Sequence, residues 1–174
     1  MRYLIAVLFV LSMSACGSNA SLEKPASEES IAKIKEDIML ANKAFVTEES
    51  NLIDSYIKRR NLEMKRTGTG LRYSIIKSSE GKKVIAEMRA TVTYSVSLLD
   101  GSLCYSSDSL GPRTFVVDHD QVESGLHEGL KLMNEGEQAI FILPSHLAFG
   151  LTGDNNKIPP GSPVVYKIEL IRLD

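Results

Sequence analysis

The chain has no tryptophan, two cysteines and three histidines among 174 residues. Two cysteines cannot supply the framework of a small disulfide-stapled scaffold. So few Cys and His also nearly exclude a His/Cys zinc cage. Charge of one sign is equally scarce. With 20 basic and 22 acidic residues the net charge is −2, so no positive field recommends nucleic acid as a partner. At 43% hydrophobic the chain is nonetheless too apolar to remain disordered, and it fits one globular domain with an appendage.

The appendage comes first. Residues 1–16 read MRYLIAVLFVLSMSAC, one Arg followed by an apolar run from Tyr3 to Met13 and then Ser14-Ala15-Cys16. A basic start, a short apolar segment and small residues before a cut form the secretory signal pattern. The run falls short of the ~20 residues that a spanning helix needs. Cysteine directly after small residues at the cut resembles the bacterial lipoprotein signal, although Met13 stands where Leu is usual. That resemblance implies a signal peptide at 1–15, acylation of Cys16 and a membrane lipid anchor. An ordinary secreted protein with an incidental Cys16 is the alternative. With Cys16 acylated, Cys104 has no intramolecular partner.

Residues 16–26 are small and polar with one Pro, the composition of a flexible tether. A helical arm is expected over 27–66, with Ser27 as N-cap and apolar residues at helical spacing: Ile31, Ile34, Ile38, Ala41 and Phe45. The stripe continues through Leu52, Ile53, Tyr56 and Ile57. One long helix, or two joined near Thr47, fits the pattern. An apolar stripe must be buried, either on the arm's own domain or in a homodimer through the arm.

Beyond Gly70 the period changes from 3.6 to 2. Leu71, Tyr73 and Ile75 alternate, as do Ala90, Val92, Tyr94, Val96 and Leu98, before a turn at Asp100-Gly101. Residues 103–105, 114–117, 139–143 and 164–173 read as further strands. Only 122–133 keeps a helical period, and 144–162 reads as a long loop. Many strands with one short helix predict an α+β domain over 67–174, a twisted antiparallel sheet wrapped on that helix.

Four stretches in this half resemble one known family. They are Val92-Thr93-Tyr94 with Leu99-Asp100-Gly101; VESGLHEG at 122–129 with Met133 and Gly136; Ala148-Phe149-Gly150; and Ile158-Pro159-Pro160-Gly161. In this order and spacing they are similar to the FKBP-type peptidyl-prolyl cis-trans isomerases. The arm and the TGTGLRY lead-in at 67–73 resemble envelope members, including lipoprotein isomerases associated with gliding motility. The resemblance implies a half-barrel sheet around a helix with a shallow apolar pocket between them. It also implies proline-containing polypeptide clients, no cofactor and no metal.

Carried over by residue, Tyr94 matches the pocket tyrosine and Gln121, Val122 and Glu123 match the segment before the helix. At the Glu123 position the family uses a backbone N–H to hold the substrate carbonyl. Ala148 and Phe149 match the loop pair whose aromatic is usually Tyr, while Phe115, Ile158 and Tyr166 match apolar wall positions. Tyr94, Phe149 and Glu123 are thereby the catalytic candidates. Departures cluster at the site. Tyr105 stands for the usual Asp, Cys104 for Phe, Leu126 for the floor Trp, and Arg113 for a wall aromatic. The resemblance therefore implies an envelope isomerase of reduced strength assisting exported proteins. The alternative is a non-catalytic chaperone or partner-binding module.

Other features carry less. Cys104 reads as an inert buried thiol, against a nucleophilic pair with His119, His127 or His146. Asp154-Asn155-Asn156 reads as a polar turn rather than a calcium loop.

Overall fold

A computed structural model describes residues 28–174. The signal segment, the tether with Cys16, and the Ser27 cap lie outside the described residues. Two units are distinguished within them. Residues 28–39 belong to the first, and 40–174 form the second, which is compact.

One continuous helix, α1 (Glu28–Arg59), occupies the arm. Thr47 does not break it; its hydroxyl donates to the Lys43 carbonyl one turn back (2.8 Å) and so is satisfied inside the helix. Acidic Glu28 and Glu29 in the first turn and basic Lys58 and Arg59 in the last oppose the helix dipole favourably. The expected stripe is buried only in part. Ile53 and Tyr56 are buried, whereas Ile31, Ile34, Ile38 and Leu52 are exposed.

Seven strands follow: β1 (Lys65–Arg66), β2 (Arg72–Lys77), β3 (Arg89–Leu98), β4 (Leu103–Ser106), β5 (Arg113–Val116), β6 (Gln138–Leu143) and β7 (Val164–Leu173). They form one antiparallel sheet in the order β1-β2-β6-β7-β3-β4, with β5 also paired to β3. A four-residue helix, α2 (Ser107–Leu110), joins β4 to β5, capped where the Asp108 N–H donates to Ser106 Oγ. The second longer element of the domain, α3 (Ser124–Leu130), is shorter than the 122–133 pattern predicted.

The sheet is buried on both faces at its centre. On one face, Val92, Val96, Phe141, Leu143, Tyr166 and Ile168 share a core with Leu126 and Leu130 of α3. On the other, Ile142 and Val165 pack with Ile53 and Tyr56 of α1. This double cover explains why 139–143 reads as a nearly unbroken apolar run. α3 lies against β6 because Gly125 and Gly129, four residues apart on one helical face, admit the strand. A Cβ at Gly129 would stand 2.6 Å from the Phe141 ring, and one at Gly125 2.7 Å from Leu143.

Polar side chains of α1 fasten the start of the sheet. Buried Arg72 donates to Asp54 (2.8 Å), Ser50 (2.7 Å) and the Gly70 carbonyl (2.6 Å). Glu49, also buried, accepts the Ser145 N–H at 2.7 Å. Because these charges are paired and hydrogen-bonded, their burial is tolerated.

Candidate active site

One edge of β3 pairs with β7 along its whole length, but its other edge is shared. Residues 89–92 pair with β5 and 95–97 with β4. The two partners part company at Tyr94. Its N–H is taken instead by the Ser107 hydroxyl of α2 (3.1 Å). The fork opens the sheet beside a cavity of about 700 Å³.

Tyr94 and Tyr166, on adjacent strands with ring centroids 6.4 Å apart, form the aromatic floor. Gln121, Val122 and Glu123 line one side, and Ala148 and Phe149 another. Glu123 is extended (φ −58°, ψ 132°) immediately before α3, and its carbonyl accepts the Leu126 N–H. Its own N–H has no acceptor among the described residues. The Tyr94 hydroxyl likewise makes no hydrogen bond among them. The site thus presents an aromatic floor with two free donors, the arrangement needed to hold an amide carbonyl against an apolar surface.

A phenol–carboxylate pair ties a loop to the sheet. Tyr105 on β4 donates to Asp154, whose carboxylate also accepts the N–H groups of Asn156 (2.9 Å) and Ile158 (2.8 Å). Burial opposes ionisation of Asp154, yet the Tyr105 hydroxyl and the backbone donors hold its carboxyl below the usual range. The same bond to Asp154 pushes the Tyr105 hydroxyl up. Tyr166 is pushed well above the ordinary tyrosine range, by burial first and then by the Glu123 carboxylate that it faces.

Of the residues expected at the site, Tyr94, Tyr105, Gln121, Val122, Glu123, Ala148, Phe149 and Tyr166 line the cavity. Cys104, Phe115, Leu126 and Ile158 do not line it; they are buried in the core behind it. Cys104 Sγ lies 3.7 Å from the carbonyls of Ser102 and Lys157, and burial together with the Asp154 charge raises its pKa. Phe115 packs edge-on to His127, with centroids 5.9 Å apart. Leu126 lies below the floor beside a crevice too tight for a water-sized sphere, with Tyr94, Arg113 and Tyr166 among its walls.

The sequence reading missed Val96, Leu110, Asp154 and Asn156 as lining residues and noted Arg113 only as a departure. Asp154 had a usable signal. An Asp followed by Asn-Asn forms a turn in which the carboxylate caps successive N–H groups, fixing it at the loop's inner edge.

A twisted antiparallel sheet around a short helix, with an aromatic cleft at a strand fork, defines the FKBP class of fold. Comparison with known proteins agrees. Residues 79–171 match the family model for FKBP-type peptidyl-prolyl cis-trans isomerases, and the chain belongs to that family. It is 38% identical over 111 residues to a probable FKBP-type peptidyl-prolyl cis-trans isomerase FkpA of Neisseria meningitidis serogroup B, covering 63% of this chain and 40% of that one. It is 36% identical over 106 residues to the outer membrane protein MIP of Legionella longbeachae, covering 60% and 45%. The chain thus spans less than half the length of these two relatives. Its fold is similar to the crystal structure of FkpA from Escherichia coli, with a TM-score of 0.62, 25% identity and coverage of 87% and 75%. The gliding-motility subtype has no counterpart among these likenesses.

Proposed function

We propose that this chain catalyses cis–trans isomerisation of peptidyl-prolyl bonds in exported polypeptides. The observation that carries the reading is the Glu123 N–H, without an acceptor among the described residues and set beside the Tyr94–Tyr166 floor. The X-Pro barrier of ~18–20 kcal/mol arises from the partial double bond of a planar amide. At the twisted transition state conjugation is lost and the amide is less charge-separated. Transfer from water into an apolar cleft therefore disfavours the planar ground state more. In this reading the Glu123 N–H and the Tyr94 hydroxyl hold the substrate carbonyl while Phe149 and Tyr166 enclose the ring. No cofactor or metal is required.

Activity below the family's usual level is part of the proposal. Leu126 stands behind the floor where Trp is usual, which removes an aromatic surface, and the hydroxyl of Tyr105 is occupied by Asp154. A lipid anchor at Cys16 and residence in the bacterial envelope, on the periplasmic face of the outer membrane, are further parts. They are supported by the Ser14-Ala15-Cys16 junction and by the relative named as an outer membrane protein. Among the described residues no helix is long and apolar enough to cross a membrane. The exposed Ile31, Ile34, Ile38 and Leu52 support a homodimer through the helical arm. The partners in this reading are proline-containing polypeptide clients and, through Cys16, the membrane.

The test is an exchange assay on X-Pro peptides with the full chain in detergent. Acceleration over the uncatalysed rate is expected. No acceleration on several peptides, with aggregation of an unfolded client still suppressed, would replace the enzyme with the binding-module reading.

A further inference from the structure

Glu123 contributes more than its backbone. Its side chain is 9% exposed, and Oε2 is buried without a hydrogen-bond partner among the described residues. A carboxylate in that position demands compensation. The nearest cation is Arg113, with Nη1 3.8 Å from Oε2. Its guanidinium also lies over the Phe115 ring, 5.9 Å from the centroid. Coulomb attraction and the ring face thus hold Arg113 toward the cavity, although its side chain remains 40% exposed.

The Arg113 side chain makes no hydrogen bond among the described residues. A guanidinium carries five N–H donors in a planar fork, so one edge can face Glu123 while another stays open. The other charged group of the lining, Asp154, already accepts three donors. The Tyr105 and Tyr166 hydroxyls are turned to carboxylates, and the Glu123 N–H and Tyr94 hydroxyl suit an amide carbonyl. Beside the neutral Gln121 amide, what remains open is a cation with geometry matched to a carboxylate.

We propose that Arg113 makes this site selective for polypeptides in which an acidic side chain flanks the proline. The proposal rests on the cleft being the proline site described above. It adds a charged determinant where an apolar wall alone would favour apolar neighbours.

The test uses the full chain in detergent and two peptide series, Ala-Xaa-Pro-Phe and Ala-Leu-Pro-Xaa, with Xaa as Glu, Gln, Leu or Lys. Exchange catalysis and binding of fluorescently labelled copies are both measured. Glu should exceed its isostere Gln roughly threefold in at least one series, the scale of a half-exposed ion pair, and the ratio should shrink with added salt. It should fall to one in Arg113→Gln and survive in part in Arg113→Lys. If Arg113→Gln unfolds because Glu123 is left uncompensated, Arg113→Gln with Glu123→Gln removes both charges and should still abolish the ratio. A Glu/Gln ratio of one in the wild type in both series, or a ratio unchanged in the double variant, overturns the proposal. Selective binding without rate acceleration would sustain it while removing the catalytic reading. Acceleration without selectivity would do the reverse.

Discussion

The Tyr105 hydroxyl donates to the Asp154 carboxylate across the mouth of the cavity. Where the family usually places a carboxylate on β4, this chain places a phenol there and brings the carboxylate from the opposite loop.

Tyr105→Phe and Asp154→Asn should therefore be coupled. Both groups are close to solvent, so a double-mutant cycle should return about 1 kcal/mol or less. The folded pKa of Asp154 is depressed, so its contribution is complete above the unfolded carboxylate value of ~3.9 and is lost as pH falls through the folded value. Thermal melts from pH 6 down to pH 2 should show the wild type losing more stability than Asp154→Asn. Equal losses would remove Asp154 from this role.

Tyr166 should resist ionisation. Its folded pKa lies well above the unfolded ~10, so its contribution is present below pH 10 and declines as pH rises toward the folded value. Alkaline absorbance titration should count at least one tyrosine fewer in the native protein than in denaturant, and Tyr166→Phe should reduce the difference to what Tyr105 contributes.

The chain's alternation at 90–98 marks β3 and its inward Tyr94, and the period change at Gly70 marks where sheet begins. What escapes is whatever depends on partners. The β3 fork arises from two strands competing for one edge, and nothing within residues 89–98 records it. The predicted helix over 122–133 begins two residues late because Val122 and Glu123 stay outside α3, which leaves the Glu123 N–H without an acceptor among the described residues. The apolar stripe of α1 was legible, but not that only Ile53 and Tyr56 in it would be buried.

That partial burial locates the boundary of the folding unit. Deletion of residues 1–39 should leave a cooperative thermal transition, whereas deletion of 1–66 should lower or abolish it by stripping Ile142 and Val165. Ile53→Ala alone should cost about 2–5 kcal/mol. An unchanged midpoint in denaturant would show that the α1 contact adds nothing to stability.

The helix–strand contact should tolerate no added volume. Gly129→Ala puts a methyl against the Phe141 ring and should destabilise by about 1–3 kcal/mol. Gly129→Ala with Phe141→Leu should recover part of that loss, a result that helix propensity alone does not explain.

Phe149→Ala should lower kcat/KM, whereas Leu126→Trp overfills the tight crevice beneath Tyr94 and Tyr166 and should destabilise by about 1–3 kcal/mol. The ratio of kcat/KM values reports the change in transition-state stabilisation. A Leu126→Trp protein as stable as the wild type would show that the crevice opens to take the larger ring.

Pairing β3 with β7 has a consequence for the order in which the molecule is assembled. β7 is the last of the seven strands along the chain, yet it supplies Tyr166 and holds the full length of β3, some seventy residues earlier in sequence. Contacts of such separation form late and slowly, because the intervening loop must close first. A chain that emerges N-terminus first can complete α1 and the β3–β4 hairpin locally, but it has no cleft until β7 arrives. Each newly made copy thus passes through a stage with its own apolar floor uncovered, when it must itself be treated as an unfolded polypeptide.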